Sequence, residues 1–258
     1  MIPIRDENPV SRPAVLTWLI IGACLAVYFL WQPSPLDNTT QDVTFDLEHA
    51  AIPCEIVKGR PLDLAEVDAT FRQGNVEACD IDQGQSPVVE RRKSVWLALV
   101  ISMFLHGGLL HIAGNLLFLW VFGNNVEDVF GKVAFAAFYL IGGIVAAFTH
   151  IMLNLDSTVP VIGASGAIAA VMGAYLVLFP SARIRTVVFV VLIFVVNVRA
   201  FWVLSFWFVL QFFTDPNQGV AWGAHVGGFV FGVLVGLVVR AVRGSQDRIG
   251  GWSTVPRY

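Results

Sequence analysis

Val161-Ile-Gly-Ala-Ser165-Gly-Ala-Ile168 opens one apolar stretch, and Trp222-Gly-Ala-His225-Val-Gly-Gly228 opens another. In each, one polar side chain stands near the start of a run long enough to enter a bilayer. Counted to the far end of its run, Ser165 lies fourteen residues before Phe179, roughly 21 Å at the helical rise, and His225 lies fifteen residues before Arg240, roughly 22 Å. His111 lies twelve residues before Gly123, roughly 18 Å, and Asn115 follows it by one turn on the same helix face. In a hydrocarbon core about 30 Å thick these four groups fall within about two turns of one level, below the outer surface.

Composition sets the class. Of 258 residues, 56% are hydrophobic and 14% charged, and the mean hydropathy is +0.71. A soluble domain carries about 25% charged residues, so the pattern is that of a polytopic membrane protein. A net charge of −3 gives no basis for nucleic-acid binding. Three cysteines are too few for a disulfide scaffold and lack zinc spacing.

Six apolar spans can be read: Ala14–Trp31, Val95–Phe122, Val133–Leu153, Val161–Phe179, Ala200–Phe213 and Val220–Val239. The fold class expected is therefore an all-α polytopic membrane protein with six transmembrane helices. The first run is read as a span rather than a leader, because no small-x-small cleavage pattern precedes Gln32-Pro-Ser-Pro. Basic residues set the orientation. Arg5 and Arg12 precede span one, Lys132 lies between spans two and three, Arg183 and Arg185 follow span four, and Arg240, Arg243, Arg248 and Arg257 follow span six. The loops Asn154–Pro160 and Thr214–Gly219 carry no Lys or Arg. Both termini are thus expected in the cytoplasm, with Arg91-Arg-Lys93 the one disagreement.

The stretch Ile184–Phe213 is interrupted by Asn197 and Arg199. As one helix it would hold Arg199 near mid-bilayer, at about 2.5–3.5 kcal/mol on insertion scales. As two spans it would put Ser165 and His225 on opposite sides. The preferred reading is a hairpin or tilted segment over Ile184–Val198 at the inner interface, with a short span five from about Arg199. The resulting division is a cytoplasmic segment 1–13, a first transmembrane helix 14–31, an external acidic loop 32–94, a five-helix remainder 95–242 and a cytoplasmic tail 243–258. Gln32–Glu90 holds twelve of the nineteen acidic residues, together with Cys54 and Cys79. In an oxidising compartment those two are candidates for a disulfide, the alternative being two unpaired thiols.

Spacing explains how the polar groups could meet. Ser165, Ala169 and Gly173 are small and four apart, as are Ala224, Gly228, Gly232 and Gly236. Such faces let membrane helices approach closely. A serine hydroxyl needs a base to become a nucleophile, and a buried histidine supplies one. No acidic residue sits in a span at matching depth, so the expectation is a Ser165–His225 dyad. Ser165 sits at a helix start after Gly163-Ala164, where free amides and the helix dipole favour an oxyanion, with Asn115 and His111 as side-chain donors. His106 and His111 are five apart with no HExxH pattern, so no metal is expected. His106 is read as a structural hydrogen-bonding residue, His150 as a loop contact, His49 as solvated, and Glu127-Asp128 as a tie at the inner end of span two.

His106-Gly-Gly-Leu-Leu-His111-Ile-Ala-Gly-Asn115, Gly163-Ala-Ser-Gly166 and Ala224-His225-Val-Gly-Gly228-Phe-Val-Phe-Gly232 together resemble the rhomboid family of intramembrane serine proteases. The resemblance covers span one and residues 95–242. It implies a six-helix rhomboid-like bundle, a Ser165–His225 dyad, and transition-state stabilisation by Asn115, His111 and the Ser165 backbone around Gly163. Gly166, Gly228 and His106 would support the site. It also implies multi-pass residence in the cell membrane, a site opening externally, no cofactor, and substrates that are membrane proteins cut in or beside transmembrane segments. Two departures stand out. Position 169 is alanine where some members carry a tyrosine that supports the histidine, and the external loop is larger than in compact members. Competing readings are an inactive rhomboid-like protein that binds membrane-protein clients, and a transporter, which the lack of repeat symmetry disfavours.

Overall fold

A computed structural model describes residues 1–33, 43–189, 193–214 and 220–250. The Ser34-Pro35 part of the leader reading, most of the loop Thr214–Gly219 and the end of the tail, with Arg257, lie outside the described residues. The chain begins with strand β1 (Ile2–Asp6), followed by helix α1 (Val15–Ala26), which widens into one looser turn through Trp31. Thr17, Ile21, Cys24 and Tyr28 recur at helical spacing and are the residues α1 buries. The first turn of α1 is closed from another helix. The Glu127 carboxylate accepts from the Leu16 and Thr17 amides at 2.9 and 2.8 Å and from the Thr17 hydroxyl at 2.9 Å. Asp128 accepts from the Ser11 amide and hydroxyl. The acidic pair thus ties the start of span one to the end of span two.

Span two is not one helix. Helix α5 (Val95–Ile101) and a tight turn through Phe104 end before Gly107-Gly108, and α6 starts afresh at Leu109 and runs to Phe130. Gly108 has φ +151°, a conformation that favours glycine and breaks the helix. Helix α7 (Lys132–Leu153) follows directly, and α8 (Ser165–Leu178) is the central element. Every residue of α8 from Gly166 to Tyr175 is buried. Helices α6, α7 and the Trp222–Arg243 part of α10 (Trp222–Gly250) are each long and apolar enough to cross a membrane. Val15–Trp31, Val95–Phe104, Ser165–Leu178 and α9 (Ala200–Gln211) are apolar but shorter.

The expectation of an all-helical chain needs correction. Strands β2 (Arg183–Phe189) and β3 (Ile193–Arg199) form an antiparallel hairpin, and β1 adds to its other edge in the order β1-β2-β3. β-Branched residues dominate both strands, and polar Arg199 caps the hairpin rather than entering a helix. The helix in the stretch read as span five therefore begins at Ala200. The sheet lies at the end of α8 opposite Ser165. Asp6 fastens it there, with Oδ2 accepting from the Tyr175 hydroxyl and from Asn125 Nδ2, both at 2.6 Å.

The acidic loop contains α2 (Val43–His49), α3 (Pro53–Lys58) and α4 (Leu64–Phe71), and a disulfide joins Cys54 to Cys79. Asp63 and Glu66 form a capping box on α4, and Arg60 pairs with Glu66 at 2.9 Å. Lys93 is buried against Glu55 at 2.5 Å, so one of the three charges that conflicted with the charge-based orientation is internally neutralised. His49 is only partly solvated, with its side chain 25% exposed. It stacks on Phe45 at 4.4 Å and meets the edge of Trp31 at 4.7 Å.

Among the described helices, α8 and α10 pack most closely. On α10 the contact uses the row read from spacing. On α8 it uses Gly166, Ala170 and Gly173, so Gly173 of the row read from spacing takes part, with Gly166 and Ala170 in place of Ser165 and Ala169. A Cβ at Gly228 would lie 2.1 Å from the Gly166 carbonyl oxygen, and one at Gly232 would lie 1.9 Å from that of Ala170. Gly232→Ala is therefore expected to lower the thermal midpoint of the detergent-solubilised protein by several degrees or prevent folding. Gly114→Ala, where a Cβ meets nothing within 4 Å, should leave it equal or slightly higher. Equal midpoints for Gly232→Ala and the parent would contradict this packing.

Asp6 yields a pH prediction. Burial raises its carboxyl from 3.8 to about 6, against the lowering effect of its hydrogen bond with Tyr175. Between those values the unfolded chain has lost the proton that the fold still holds. The contribution of Asp6 to stability is then full below the lower value, falls as pH rises through the window, and is level above it. The midpoint of the parent should carry a downward component between about pH 4 and pH 6 that Asp6→Asn removes.

Candidate active site

Ser165 is the first residue of α8, preceded by Gly163 at φ +123° and by Ala164. His225 lies in the first turn of α10. The close approach of the two helices brings His225 Nε2 to 2.8 Å from Ser165 Oγ. As the opening residues of α8, Ser165 and Gly166 have no carbonyl one turn earlier within the helix for their amides.

His111 enters the same space from the first turn of α6. Its Nδ1 accepts from the Gly107 amide at 3.2 Å, so in the neutral ring the proton is on Nε2. That N–H points toward Gly163, where a Cβ would lie 2.8 Å from His111 Nε2 and 3.6 Å from Ser165 Oγ. Gly163 is needed for this approach as well as for its backbone angle. Its amide is engaged by the Ser102 carbonyl at 2.8 Å, so Gly163 lines the site while its own N–H is held elsewhere.

Asn115 is buried one turn along α6, and its Nδ2 donates to the His111 carbonyl at 3.1 Å. His106 is fully buried behind His111, with the two rings 5.2 Å apart and edge-on. Its backbone is clamped on both sides by Gln32, which donates to the His106 carbonyl at 3.0 Å and accepts from its amide at 2.9 Å. Gly166 packs on Ala146 and Gly228 on Gly166. His150 packs beside Gly223, and Asn154 Nδ2 donates to its carbonyl.

Residues not singled out from the sequence complete the surroundings. Gln211, the last residue of α9, places Oε1 2.7 Å from His225 Nδ1. The Trp207 ring lies 5.7 Å from the imidazole. A lone amide closing an apolar helix was the available signal for Gln211, but no spacing rule links it to His225. A cavity of about 30 Å³ adjoins Ser165, larger than a water needs. Ser102, Gly163, Ala167 and Ala224 line it together with Ala51 of the disulfide-bonded subdomain. Ala51 is fixed there because its amide donates to Ser102 Oγ at 2.6 Å and its carbonyl accepts from Val161 at 2.8 Å.

Residues 93–242, more than half of the chain, match the Rhomboid domain family. "Presenilin-associated rhomboid-like protein A, mitochondrial" of Danio rerio is 29% identical over 148 residues, covering 55% of this chain and 37% of that protein. "Rhomboid protease GluP" of Bacillus subtilis is 33% identical over 146 residues, covering 55% of this chain and 26% of that protein. "Rhomboid protein 1, mitochondrial" of Saccharomyces cerevisiae is 29% identical over 162 residues, covering 59% and 44%. The matches span less than half the length of each of these relatives. The chain belongs to the rhomboid family.

Proposed function

We propose that this chain is an intramembrane serine endopeptidase that hydrolyses peptide bonds in or beside the transmembrane segments of membrane proteins. The observation that carries this reading is the 2.8 Å contact between His225 Nε2 and Ser165 Oγ. It also weighs against an inactive client-binding role, which would not need the pair intact.

In the proposed reaction Ser165 Oγ attacks the scissile carbonyl carbon while its proton passes to His225 Nε2. The carbonyl oxygen becomes an oxyanion beside the amide of Ser165, the Nε2–H of His111 and Asn115 Nδ2. When the C–N bond breaks, His225 returns the proton to the leaving amine, leaving an acyl ester on Ser165. A water, deprotonated by His225, then releases the acid and restores the hydroxyl. The small cavity beside Ser165 gives such a water a place next to the nucleophile.

We further propose that the chain crosses the cell membrane six times with both termini in the cytoplasm. On this reading α9, about 18 Å long, is the shortest crossing, and the hairpin lies at the inner interface. The subdomain carrying the disulfide would then be external, where oxidation is sustained, and the site would open toward that side.

Ser165→Ala should abolish both fluorophosphonate labelling and cleavage of a model transmembrane substrate. Labelling that survives in this variant would sink the nucleophile assignment. Asn115→Ala and His111→Ala should each keep the fold and lower kcat by roughly 10²–10³, the range for one lost oxyanion donor. Unchanged turnover in both would remove side-chain stabilisation from the mechanism.

A further inference from the structure

We infer that Gln211 is the positioning residue that fixes His225 in the tautomer able to act as a base. The inference rests on the Ser165–His225 reading and goes beyond it, because it names what holds the histidine when position 169 is alanine.

The geometry decides the proton positions. Gln211 Nε2 donates to the Trp207 carbonyl at 2.8 Å. A carbonyl accepts only, so the nitrogen of the amide must be on that side. The oxygen then faces His225 Nδ1 at 2.7 Å. An amide oxygen carries no proton, so the proton in this contact belongs to Nδ1. A neutral imidazole protonated at Nδ1 has its lone pair on Nε2, which is the atom 2.8 Å from Ser165 Oγ. The serine hydroxyl therefore donates to the base. The reversed amide would forfeit the Trp207 bond, turn two N–H groups toward the imidazole and favour the tautomer whose Nε2–H faces Ser165. That arrangement leaves no base.

The surroundings make the restraint specific. Gln211 is 7% exposed, and the only other polar side chain of α9 is Ser205. The Trp207 ring, from one turn earlier on the same helix, lies against the imidazole. One turn of α9 thus supplies both the hydrogen bond and the aromatic flank. A neutral amide does this without the cost of burying an unpaired carboxylate at this depth. Because both groups ride on α9, the base is oriented only while the end of α9 is packed on the start of α10.

The test uses the full chain in detergent or lipid, with Gln211→Met, which keeps length but removes the acceptor, and Gln211→Glu, which keeps an acceptor oxygen. Nitrogen-15 spectroscopy of His225 should report the Nδ1–H tautomer in the parent and in Gln211→Glu, and loss of that preference in Gln211→Met. Cleavage of a model transmembrane substrate should show kcat lowered about hundredfold in Gln211→Met, within the range for misplacing a general base. KM should stay within about twofold, and Gln211→Glu should recover most of the rate. An Nε2–H tautomer in the parent, or parental kcat in Gln211→Met, would overturn the proposal. If the parent neither cleaves nor labels with a fluorophosphonate, the protease reading fails instead, and the tautomer measurement still decides the role of Gln211.

Discussion

The site depends on how closely the backbones of α8 and α10 approach. Glycines at 228 and 232 let the carbonyls of Gly166 and Ala170 sit where a side chain would otherwise be. In a bilayer, apolar burial between helices adds little, because lipid tails are as apolar as leucine. Association then rests on close packing and on hydrogen bonds. The small-residue row supplies the packing, and the Ser165–His225 contact at its end is a hydrogen bond that the packing makes reachable. One methyl group on the glycine row would separate the two side chains before it changed either of them.

Around that pair, the remaining elements act as restraints brought in from different helices. His111 comes from the start of α6, which exists as a separate helix because the chain breaks at Gly107-Gly108. Gly163 accommodates His111 by having no side chain. Gln211 comes from α9. At the opposite end of the bundle, the carboxylates of Asp6 and Glu127 fasten the N-terminal strand and the start of α1 to α6 and α8. The two ends are held differently. The far end uses charged groups, while close to Ser165 the named contacts come from neutral amides, imidazoles and hydroxyls.

The parts of the fold and site that were legible in the sequence are those set by local spacing. Ser165, His225 and the α10 glycines stand out because a polar or small residue at fixed intervals in an apolar run has few explanations. The interruption at Ile184–Val198, read as a hairpin or a tilted segment, is signalled by Asn197 and Arg199, which a helix at mid-bilayer would hold only at a cost. Three things were not legible. The break before Leu109 needs a backbone angle that glycine permits but does not require. The recruitment of β1 to the hairpin is a pairing between residues about 180 apart in sequence, and no local pattern specifies it. The Gln211–His225 contact joins two helices through a loop, and its direction depends on which way an amide is turned.

The disulfide-bonded subdomain belongs to the same system of restraints. Its disulfide fixes Cys54, three residues beyond Ala51, and Cys54 donates its amide to the Ser157 carbonyl at 2.9 Å. Thr158 is held from the same side by the Val76 carbonyl and the Thr70 hydroxyl. The segment leading into Ser165 is therefore pinned by the subdomain at Ser157, Thr158 and Val161, and by Ser102 at Gly163, which makes it a fixed approach to the start of α8. Fixing this approach matters because α8 begins at Ser165 itself. A helix terminus has no preceding turn to hold it, so the direction of its first amides and of the Ser165 side chain is set by what precedes it. In this chain that role falls to a disulfide-stapled subdomain outside the bundle, acting through Ser157, Thr158 and Val161.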